Sequence, residues 1–391
     1  MTRPDPFDYG SSRYESAAFG AGTVHTRWWH ELYDGRVQCD ICPRACKLNE
    51  GQRGLCFVRA REGDEVVLTT YGRSSGYCID PIEKKPLNHF LPGSSVLSFG
   101  TAGCNLTCKF CQNWDISKSR EVHTLTSSAS PRTIAQAALD NGCRSVAFTY
   151  NDPIVFLEYA LDTARACRDV GVKTVAVTAG YVERGPRAEF FDVIDAANVD
   201  LKAFSDEYYR KVCGGDLNAV LDTITWMAQQ SSTWFELTTL LVPGLNDSDD
   251  EISTMVRWVL DTVGPDVPLH FSAFHPDWKM TDIPHTPHAT LNRARDLAID
   301  LGVRYAYVGN VHDADGATTY CLNCRNGIIV RDWYDIDEYL VDESGRCLFC
   351  QTRVPGVFDG PVGTWGRKRQ PLVLHDPVLL HEDIARFGRP S

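Results

Sequence analysis

Three closely spaced cysteines constrain this chain more than any other feature. Cys104, Cys108 and Cys111, here called the triad, follow a C-x3-C-x2-C spacing. Their loop opens with Gly100 and comes directly after the apolar run 96–99. Three thiolates can hold three irons of a [4Fe–4S] cube and leave the fourth iron without a protein ligand. An open coordination position is typical of a catalytic metal site, whereas four protein ligands usually mark a structural one. The alternative is three reduced and idle cysteines, which we disfavour because a loop containing Gly and Asn offers them little core to enter.

A second cysteine group precedes the triad. Cys39, Cys42, Cys46 and Cys56, here called the N-terminal quartet, follow the spacing C-x2-C-x3-C-x9-C with proline and glycine between them. A four-thiolate knuckle of this kind typically binds structural zinc. An auxiliary iron–sulfur cluster is the alternative, because four thiolates serve both metals and no fixed spacing separates them. From the sequence we favour zinc at this site.

A third cysteine group lies near the end of the chain. Cys321, Cys324, Cys347 and Cys350, here called the C-terminal quartet, form two C-x2-C pairs. Two such pairs about twenty residues apart indicate a zinc ribbon, with a rubredoxin-like iron site as the alternative. Disulfides are not expected, because they are rare in a reducing compartment. The remaining four cysteines, to which we assign no role, are Cys78, Cys143, Cys167 and Cys213.

The composition predicts a cytoplasmic globular protein. The hydrophobic fraction of 43% is ordinary for a globular chain. No stretch approaches the roughly 18 uninterrupted apolar residues of a membrane span, and the polar, proline-broken start lacks the apolar region of a signal peptide. The formal net charge is −12 and no run is rich in lysine or arginine, whereas a nucleic-acid-binding protein normally carries a basic surface. We therefore expect neither a membrane nor a nucleic-acid partner.

Strand-like and helical patterns alternate through the middle of the chain. Repeated β–α units of this length predict a parallel sheet with helices outside it, hence an α/β fold. Seven strands are too few for a closed eight-fold barrel, and a partial β/α barrel fits the count better than a doubly wound sheet. In either architecture the active site lies at the carboxyl ends of the strands. The predicted strands are residues 96–99, 145–150, 172–178, 198–204, 234–242, 268–274 and 305–308.

These patterns divide the chain into five parts. The two ends are polar or rich in Gly and Pro, so we expect an irregular arm and a tail there. Taken from the residues alone, Glu83, Lys84 and Lys85 are a solvated charge cluster on a loop that leads into the first core strand. The predicted parts are an arm (1–35), a four-cysteine knuckle with a lead-in segment (36–93), the partial barrel (94–312), a zinc-ribbon-like module (313–358) and a tail (359–391).

With these motifs assembled, residues 39–350 resemble the radical S-adenosylmethionine (radical SAM) enzymes of the AmmeMemoRadiSam group, relatives of the pyruvate formate-lyase activating enzymes. The resemblance implies a partial (β/α)6-type radical SAM barrel with a small four-cysteine metal module on each side. Besides the three cysteine groups, it rests on Asp80-Pro81-Ile82-Glu83-Lys84-Lys85-Pro86, Gln112-Asn113, Thr149-Tyr150-Asn151-Asp152-Pro153-Ile154, Asp200-Leu201-Lys202, Leu241-Val242-Pro243-Gly244, residues 271–280 and Tyr307-Val308-Gly309-Asn310-Val311.

The resemblance also implies the ligands of a SAM site. The triad would hold the cluster, and its open iron would chelate the amino and carboxylate groups of SAM. Asp152 stands where the family more often has Glu, which shortens the reach by one methylene. The alternatives are that Asp200 and Lys202 form a mere ion pair at the barrel mouth and that His275 is a satisfied loop histidine. The implied SAM contacts are Phe110, Tyr150, Asn151, Asp152, Asp200, Lys202, His275, Val308, Gly309 and Asn310.

The reaction implied by the resemblance begins with one electron. The reduced cluster would cleave SAM to methionine and a 5′-deoxyadenosyl radical, which would abstract hydrogen from the substrate. That substrate is either a protein or peptide or a small molecule, and a low-potential donor such as flavodoxin or ferredoxin is implied. The alternatives are a different SAM cleavage with aminocarboxypropyl transfer, and a non-enzymatic zinc-binding scaffold.

Overall fold

The computed structural model of this chain describes residues 22–118, 125, 127–374 and 376. The part that precedes the central sheet forms the short strands β1 (Val24–His25), β2 (Trp29–Glu31), β3 (Val37–Cys39), β4 (Lys47–Leu48), β5 (Arg59–Glu62), β6 (Glu65–Leu68) and β7 (Arg73–Ser74). The first six pair into two antiparallel sheets, ordered β1-β6-β5 and β2-β3-β4, and β7 pairs with the later strand Ser127–Ser128. The rest of the predicted arm, residues 1–21, lies outside the described residues.

Strands and helices then alternate as the sequence pattern predicts. The first elements are β8 (Tyr77–Pro81), β9 (Ser95–Phe99), α1 (Trp114–Ser117), β10 (Ser127–Ser128), α2 (Pro131–Asp140), β11 (Ser145–Phe148), α3 (Leu157–Asp169), β12 (Lys173–Thr178), α4 (Arg184–Asp192) and β13 (Ala196–Asp200). They are followed by α5 (Asp206–Tyr208), α6 (Leu217–Gln230), β14 (Trp234–Leu241), α7 (Asp249–Thr262), β15 (Leu269–Ala273), α8 (His288–Leu301) and β16 (Ala306–Gly309). Short 3-10 turns at Ile82–Lys84 and Pro153–Phe156, and one π turn at Tyr209–Cys213, complete this part.

The central sheet confirms the predicted α/β fold. Seven strands pair in parallel in the order β9, β11, β12, β13, β14, β15, β16. They are the seven strands that the sequence pattern predicts. Parallel neighbours align the carboxyl ends of all seven strands at one edge of the sheet, which is where ligands bind in such folds.

Side-chain caps begin several helices. Ser130 accepts a hydrogen bond from the backbone N–H of Thr133 at the start of α2, and Pro131 occupies the first turn, as the sequence predicts. Ser248 caps α7 in the same way, and three acidic residues in that first turn suit the positive end of the helix dipole. None of the helices in the described ranges is long and apolar enough to cross a membrane.

Residues 82–93, here called the plug segment, fill the inside of the sheet toward its amino-terminal end. Phe90 of this segment packs in one buried cluster with Val96 of β9. On the other side, His89 Nε2 lies 2.5 Å from the hydroxyl oxygen of Tyr307 in β16. Because one short segment contacts both the first and the last parallel strand, the sheet curves around it as a partial barrel.

The C-terminal module packs against the plug segment. Its elements are α9 (Ala314–Ala317) and the antiparallel strands β17 (Thr319–Tyr320), β18 (Gly327–Asp332) and β19 (Asp335–Tyr339). The buried Arg331 donates to the carbonyl of Asn88 at 2.7 Å and to the hydroxyl of Thr319 at 2.9 Å. These contacts join the module to the barrel.

Two antiparallel strands extend the parallel sheet at its β9 edge. β8 pairs with β9, and a tail strand β20 (Gln370–Leu372) pairs with β8. The predicted tail therefore returns to the barrel over residues 359–374, and residues 375 and 377–391 lie outside the described residues. The sequence pattern did not predict either edge strand.

Candidate active site

The triad lines a cavity at the carboxyl ends of the parallel strands. The cavity has a volume of about 640 Å³, and Cys104, Cys108 and Cys111 are on its wall. Ligand sites in proteins span roughly 300–1,000 Å³, so a cofactor-sized molecule fits. The rest of the wall comes from strand ends that include Thr178 of β12 and Asp200 of β13. This is the edge at which β/α barrels bind their ligands.

Asn151, at the end of β11, holds the start of the triad loop. Its Oδ1 accepts a hydrogen bond from the backbone N–H of Thr101 at 2.9 Å. Its Nδ2 donates to the carbonyl oxygens of Gly103 at 2.8 Å and Ala102 at 3.1 Å. The amide is buried, so these contacts use both of its ends and position the loop that carries Cys104.

The π turn holds the other end of the loop. The backbone N–H of Thr107 donates to the carbonyl of Cys213 at 2.8 Å, and that of Lys109 donates to Val212 at 3.0 Å. The thiol of Cys213, which the sequence left without a role, donates to the sulfur of Cys108. This hydrogen bond lowers the pKa of Cys108. It therefore favours the thiolate, which is the form that binds a metal.

The distances between the sulfur atoms distinguish the C-terminal quartet from the triad. In the C-terminal quartet Cys321 Sγ lies 3.4 Å from Cys350 Sγ, and Cys324 Sγ lies 3.7 Å from Cys347 Sγ. Tetrahedral zinc with Zn–S bonds of about 2.3 Å sets its sulfurs roughly 3.8 Å apart, so this quartet fits one ion. Within the described ranges it is the only group of three or more Cys, His, Asp or Glu whose ligand atoms all lie within 4.8 Å of one another.

The triad sulfurs are therefore spread more widely than the ligands of one ion. A [4Fe–4S] cube binds each cysteine to a different iron, so it needs that wider spread. The residues present thus fit a cluster. All fifteen cysteines are free thiols in the structure, which agrees with metal binding in place of disulfides.

Asp200 and Lys202 form a pair on the cavity wall next to the triad. Lys202 Nζ lies 2.8 Å from Asp200 Oδ2 and 5.9 Å from the ring centroid of Phe110. Burial alone would lower the pKa of Lys202, but Asp200 and the nearby thiols outweigh it and raise that pKa well above the ordinary value. Lys202 is therefore a cation at neutral pH, with Phe110 providing an apolar face beside it.

Asp152 is buried and fully occupied by protein contacts. It accepts hydrogen bonds from the backbone N–H groups of Ala179 at 2.9 Å and Ile154 at 3.1 Å, and from the hydroxyl of Thr178 at 3.1 Å. Burial raises its pKa. The shorter Asp side chain thus ties the ends of β11 and β12 together at the cavity wall.

The structure brings most of the implied SAM contacts together. Three of the ten positions do not line the cavity. His275 is half-buried, with its ring centroid 6.2 Å from that of His285, and Val308 is buried in the core. Gly309 in β16 faces the Ser272 side chain. The seven that do line it are Phe110, Tyr150, Asn151, Asp152, Asp200, Lys202 and Asn310.

The sequence reading of Glu83, Lys84 and Lys85 as a solvated cluster is wrong. Asp80 is fully buried, and its carboxylate lies 2.7 Å from Lys85 Nζ and 2.9 Å from Lys84 Nζ. Glu83 is 5% and Lys85 3% exposed, because the plug segment turns inward rather than running over the surface. Both lysines line the cavity.

Tyr150 completes this charged group. Its hydroxyl donates to Asp80 at 2.9 Å, and its backbone adopts the left-handed φ of 70°, which is uncommon for a bulky residue. Strain of this kind clusters at functional sites. Burial lowers the pKa of Lys85 to about 8, and it would lower it further without Asp80.

Comparison with known proteins assigns the superfamily. A sequence profile described as Radical SAM superfamily matches residues 99–259. The chain is 39% identical over 328 residues to "Uncharacterized protein MJ0808" of Methanocaldococcus jannaschii, covering 84% of this chain and 97% of that protein. It is 26% identical over 176 residues to the pyruvate formate-lyase 1-activating enzyme of Escherichia coli K12, covering 44% and 70% of the two chains.

A solved structure gives a weaker match. The radical SAM methyltransferase from Sphaerobacter thermophilus has a TM-score of 0.44 at 13% identity, over 74% of this chain and 77% of that one. The fold, the triad and the sequence relatives define an enzyme of the iron–sulfur and SAM-dependent class. The chain belongs to the radical SAM superfamily, with similarity to the pyruvate formate-lyase activating enzymes.

Proposed function

We propose that this enzyme cleaves SAM reductively at a [4Fe–4S] cluster held by Cys104, Cys108 and Cys111 and uses the resulting radical to abstract hydrogen from a substrate. One observation carries the proposal: the three cysteines share a cavity of about 640 Å³ with the charged strand-end pair Asp200–Lys202. When bound, the cluster supplies the electron that breaks the sulfonium C–S bond and yields methionine and a 5′-deoxyadenosyl radical.

The residues of this chain orient SAM in that cavity. Lys202 supplies a cation suited to the SAM carboxylate, and Asp200 beside it accepts hydrogen bonds. Phe110, next to Cys111, supplies an apolar surface for the adenine. Asn151 and Asp152 act as positioning residues, since both are occupied by the backbone of the loop and strand ends.

We further propose that the substrate presents an anionic group to the other end of the cavity. Lys84, Lys85 and Arg369 line that region, while Asp80 supplies a single compensating negative charge. The net positive charge attracts a carboxylate or phosphate. Arg369 arrives on the returning tail next to β20, so the tail contributes to the substrate end of the site.

The finer assignments belong to the same proposal. We place the enzyme in the AmmeMemoRadiSam group and in the cytoplasm, with flavodoxin or ferredoxin as the electron donor. The similarity to an activating enzyme, which by its name acts on another enzyme, favours a protein or peptide substrate. The close sulfur spacing of the C-terminal quartet supports zinc there.

Product analysis tests the reaction. The anaerobically reconstituted enzyme is incubated with SAM and dithionite, and the products are identified by mass spectrometry. We expect 5′-deoxyadenosine and methionine from the wild type and from Cys143→Ala, a control at a buried cysteine outside the three groups, and neither product from Cys108→Ala. Methylthioadenosine in their place would establish the aminocarboxypropyl alternative. No SAM cleavage by a fully reconstituted wild type would contradict the proposal.

A further inference from the structure

The C-terminal module reaches the active-site cavity through one hairpin turn. β18 and β19 are antiparallel, and Asp332 at the end of β18 pairs with Asp335 at the start of β19. Trp333 and Tyr334 are therefore the two residues of the turn. Tyr334 lies on the wall of the cavity that also contains the triad. The module that carries the C-terminal quartet thus contributes a side chain to the active site.

The sequence of this turn is unusual for its geometry. Two-residue hairpin turns need a left-handed backbone and are usually built from Asn, Asp and Gly. Here both positions hold large aromatic residues, and Trp333 has a φ of 59°. Strain of this kind at a bulky residue clusters at functional sites. The place of Tyr334 on the cavity wall gives the strained turn such a function.

Trp333 packs the turn against the barrel. The centroid of its ring lies 4.5 Å from that of His312, in the loop after β16, and 5.3 Å from that of Tyr334. His312 Nδ1 also lies 3.4 Å from Asp332 Oδ1. Asn310, two residues before His312, lines the same cavity. The turn is therefore held beside the carboxyl end of the last parallel strand.

The returning tail is bonded to the residue that follows the turn. Asp335 accepts hydrogen bonds from the backbone N–H of Arg367 at 3.1 Å and from its Nε at 2.6 Å. The tail comes so close that a Cβ built on Gly366 would overlap the Asp335 carboxylate. Arg369, two residues beyond Arg367, lines the cavity. This contact thus links the segments that carry Tyr334 and Arg369, which come from separate parts of the chain.

The side chain of Tyr334 is available to a ligand. Its hydroxyl has no hydrogen-bond partner among the residues that the structure describes. Burial, together with the negative charges of Asp80 and Glu83, raises the pKa of Tyr334 to about 12, so the hydroxyl keeps its proton at neutral pH. Asp80 is also the carboxylate that pairs with Lys84 and Lys85. A neutral O–H near these cations can donate a hydrogen bond to an anion that they attract.

We propose that Tyr334 is a substrate-binding residue, whose hydroxyl donates a hydrogen bond to the phosphate or carboxylate group held by the basic residues at the substrate end of the cavity. The C-terminal quartet then has a role in substrate binding, because it holds together the module that positions the turn. This inference rests on the proposed function, which makes that end of the cavity the substrate site.

Anion binding tests the inference in the full-length, anaerobically reconstituted protein. Tyr334→Phe removes only the hydroxyl. Tyr339→Phe is the matched control, because Tyr339 belongs to β19 of the same module but does not line the cavity. A third variant combines Cys324→Ser with Cys350→Ser and removes two ligands of the C-terminal quartet. Isothermal titration calorimetry with saturating SAM and no reductant measures the Kd of inorganic phosphate and of acetate for each protein.

We expect Tyr334→Phe to bind the preferred anion about 10-fold or more weakly, because a hydrogen bond to a charged group is lost, and Tyr339→Phe to keep the wild-type Kd. The quartet variant should lose its zinc and bind the same anion at least as weakly. After dithionite is added, all three variants should form 5′-deoxyadenosine at about the wild-type rate, because the SAM end of the cavity is unchanged. The preferred anion identifies the substrate group as a phosphate or a carboxylate.

Three results would overturn the inference: wild-type anion binding in Tyr334→Phe, no binding of either anion by the wild type, or loss of both anion binding and SAM cleavage in Tyr334→Phe, which would make the residue structural. None of them depends on whether the quartet variant folds. SAM cleavage by the wild type would still support the proposed function in each case. Anion binding that depends on Tyr334, in an enzyme that does not cleave SAM, would contradict the proposed function and leave the anion site standing.

Discussion

The carbonyl oxygen of Cys56 occupies the place where a side chain at Gly103 would lie. A Cβ built on Gly103 overlaps that oxygen, and the residue has the left-handed φ of 76°. Only glycine meets both conditions without strain. The contact joins the last cysteine of the N-terminal quartet to the residue before Cys104, so the two cysteine sites depend on each other's backbone.

Gly103→Ala should therefore disrupt both sites. We expect the thermal midpoint to fall and the iron content after reconstitution to drop to less than half of the wild-type value, because the loop must move away from Cys56. The control is Gly142→Ala, where φ is 65° but nothing lies within 4 Å of the added Cβ. That control should lose only about 1 kcal/mol of stability from the backbone conformation and keep its iron. Equal iron content in the two variants would contradict the argument.

Asn151→Ala should weaken the triad loop without touching a sulfur. The change leaves the buried N–H of Thr101 unpaired, which costs about 1–3 kcal/mol. We expect slower SAM cleavage, by about 10-fold or more, together with faster loss of cluster absorbance in air. Asn141→Ala, which removes an exposed amide bonded only to the end of α2, is the matched control. If Asn151→Ala cleaves SAM at the wild-type rate and keeps its cluster in air as the wild type does, the triad loop does not depend on the hydrogen bonds of Asn151.

The features that the sequence predicted correctly are those that depend on residues close together in the chain. The seven parallel strands followed from alternating β and α periodicity, and the triad followed from its spacing. The SAM contacts remain predictions. What these patterns did not predict depends on long-range contacts: Cys213 reaches Cys108 across 105 residues of chain, and β20 joins β8 from the far end of the sequence.

Charge was the most misleading local signal. Lys84 and Lys85 have the sequence character of surface residues, but they face Asp80 inside the barrel. Nothing in the local sequence shows that residues 82–93 turn inward. The inward turn depends on Glu236 in β14, which accepts hydrogen bonds from the backbone N–H groups of Asn88 and His89 at 3.0 and 2.8 Å.

Asp80→Asn should destabilise the protein in a pH-dependent way. In the wild type the folded pKa of Lys85 is about 8, below the ordinary value, so protonated Lys85 opposes folding and stability rises with pH from about 8 to about 10.4. Without Asp80 that pKa falls further. At pH 7 the part of the loss that is due to Lys85 should be at most about 1.4 kcal/mol, because pH 7 lies one unit below the folded pKa of about 8 and below that the unpaired lysine loses its proton.

This deficit should shrink as pH rises through about 8, because Lys85 then becomes neutral in both proteins. The free energy of unfolding is measured with denaturant between about pH 6 and about pH 9.5, a range that includes the folded pKa of Lys85 of about 8. The control is Asp80→Asn combined with Lys85→Met, whose deficit relative to the Lys85→Met single variant should not vary with pH in this way. A constant deficit for Asp80→Asn would rule out Lys85 as the cause.

Lys202→Ala should weaken SAM binding while leaving the cluster in place. Lys202 is 13% exposed at the cavity wall, and loss of a charge-assisted contact to a carboxylate costs about 1.5–3 kcal/mol, or roughly 10- to 150-fold in Kd. Lys211→Ala is the matched control, because Lys211 also pairs with a carboxylate, Glu207 at 2.6 Å, but is 70% exposed. Equilibrium dialysis of labelled SAM against the anaerobic protein measures both variants, and iron content checks cluster retention. A wild-type Kd for SAM in Lys202→Ala would mean that Lys202 does not bind SAM and that the Asp200–Lys202 pair only stabilises the strand ends.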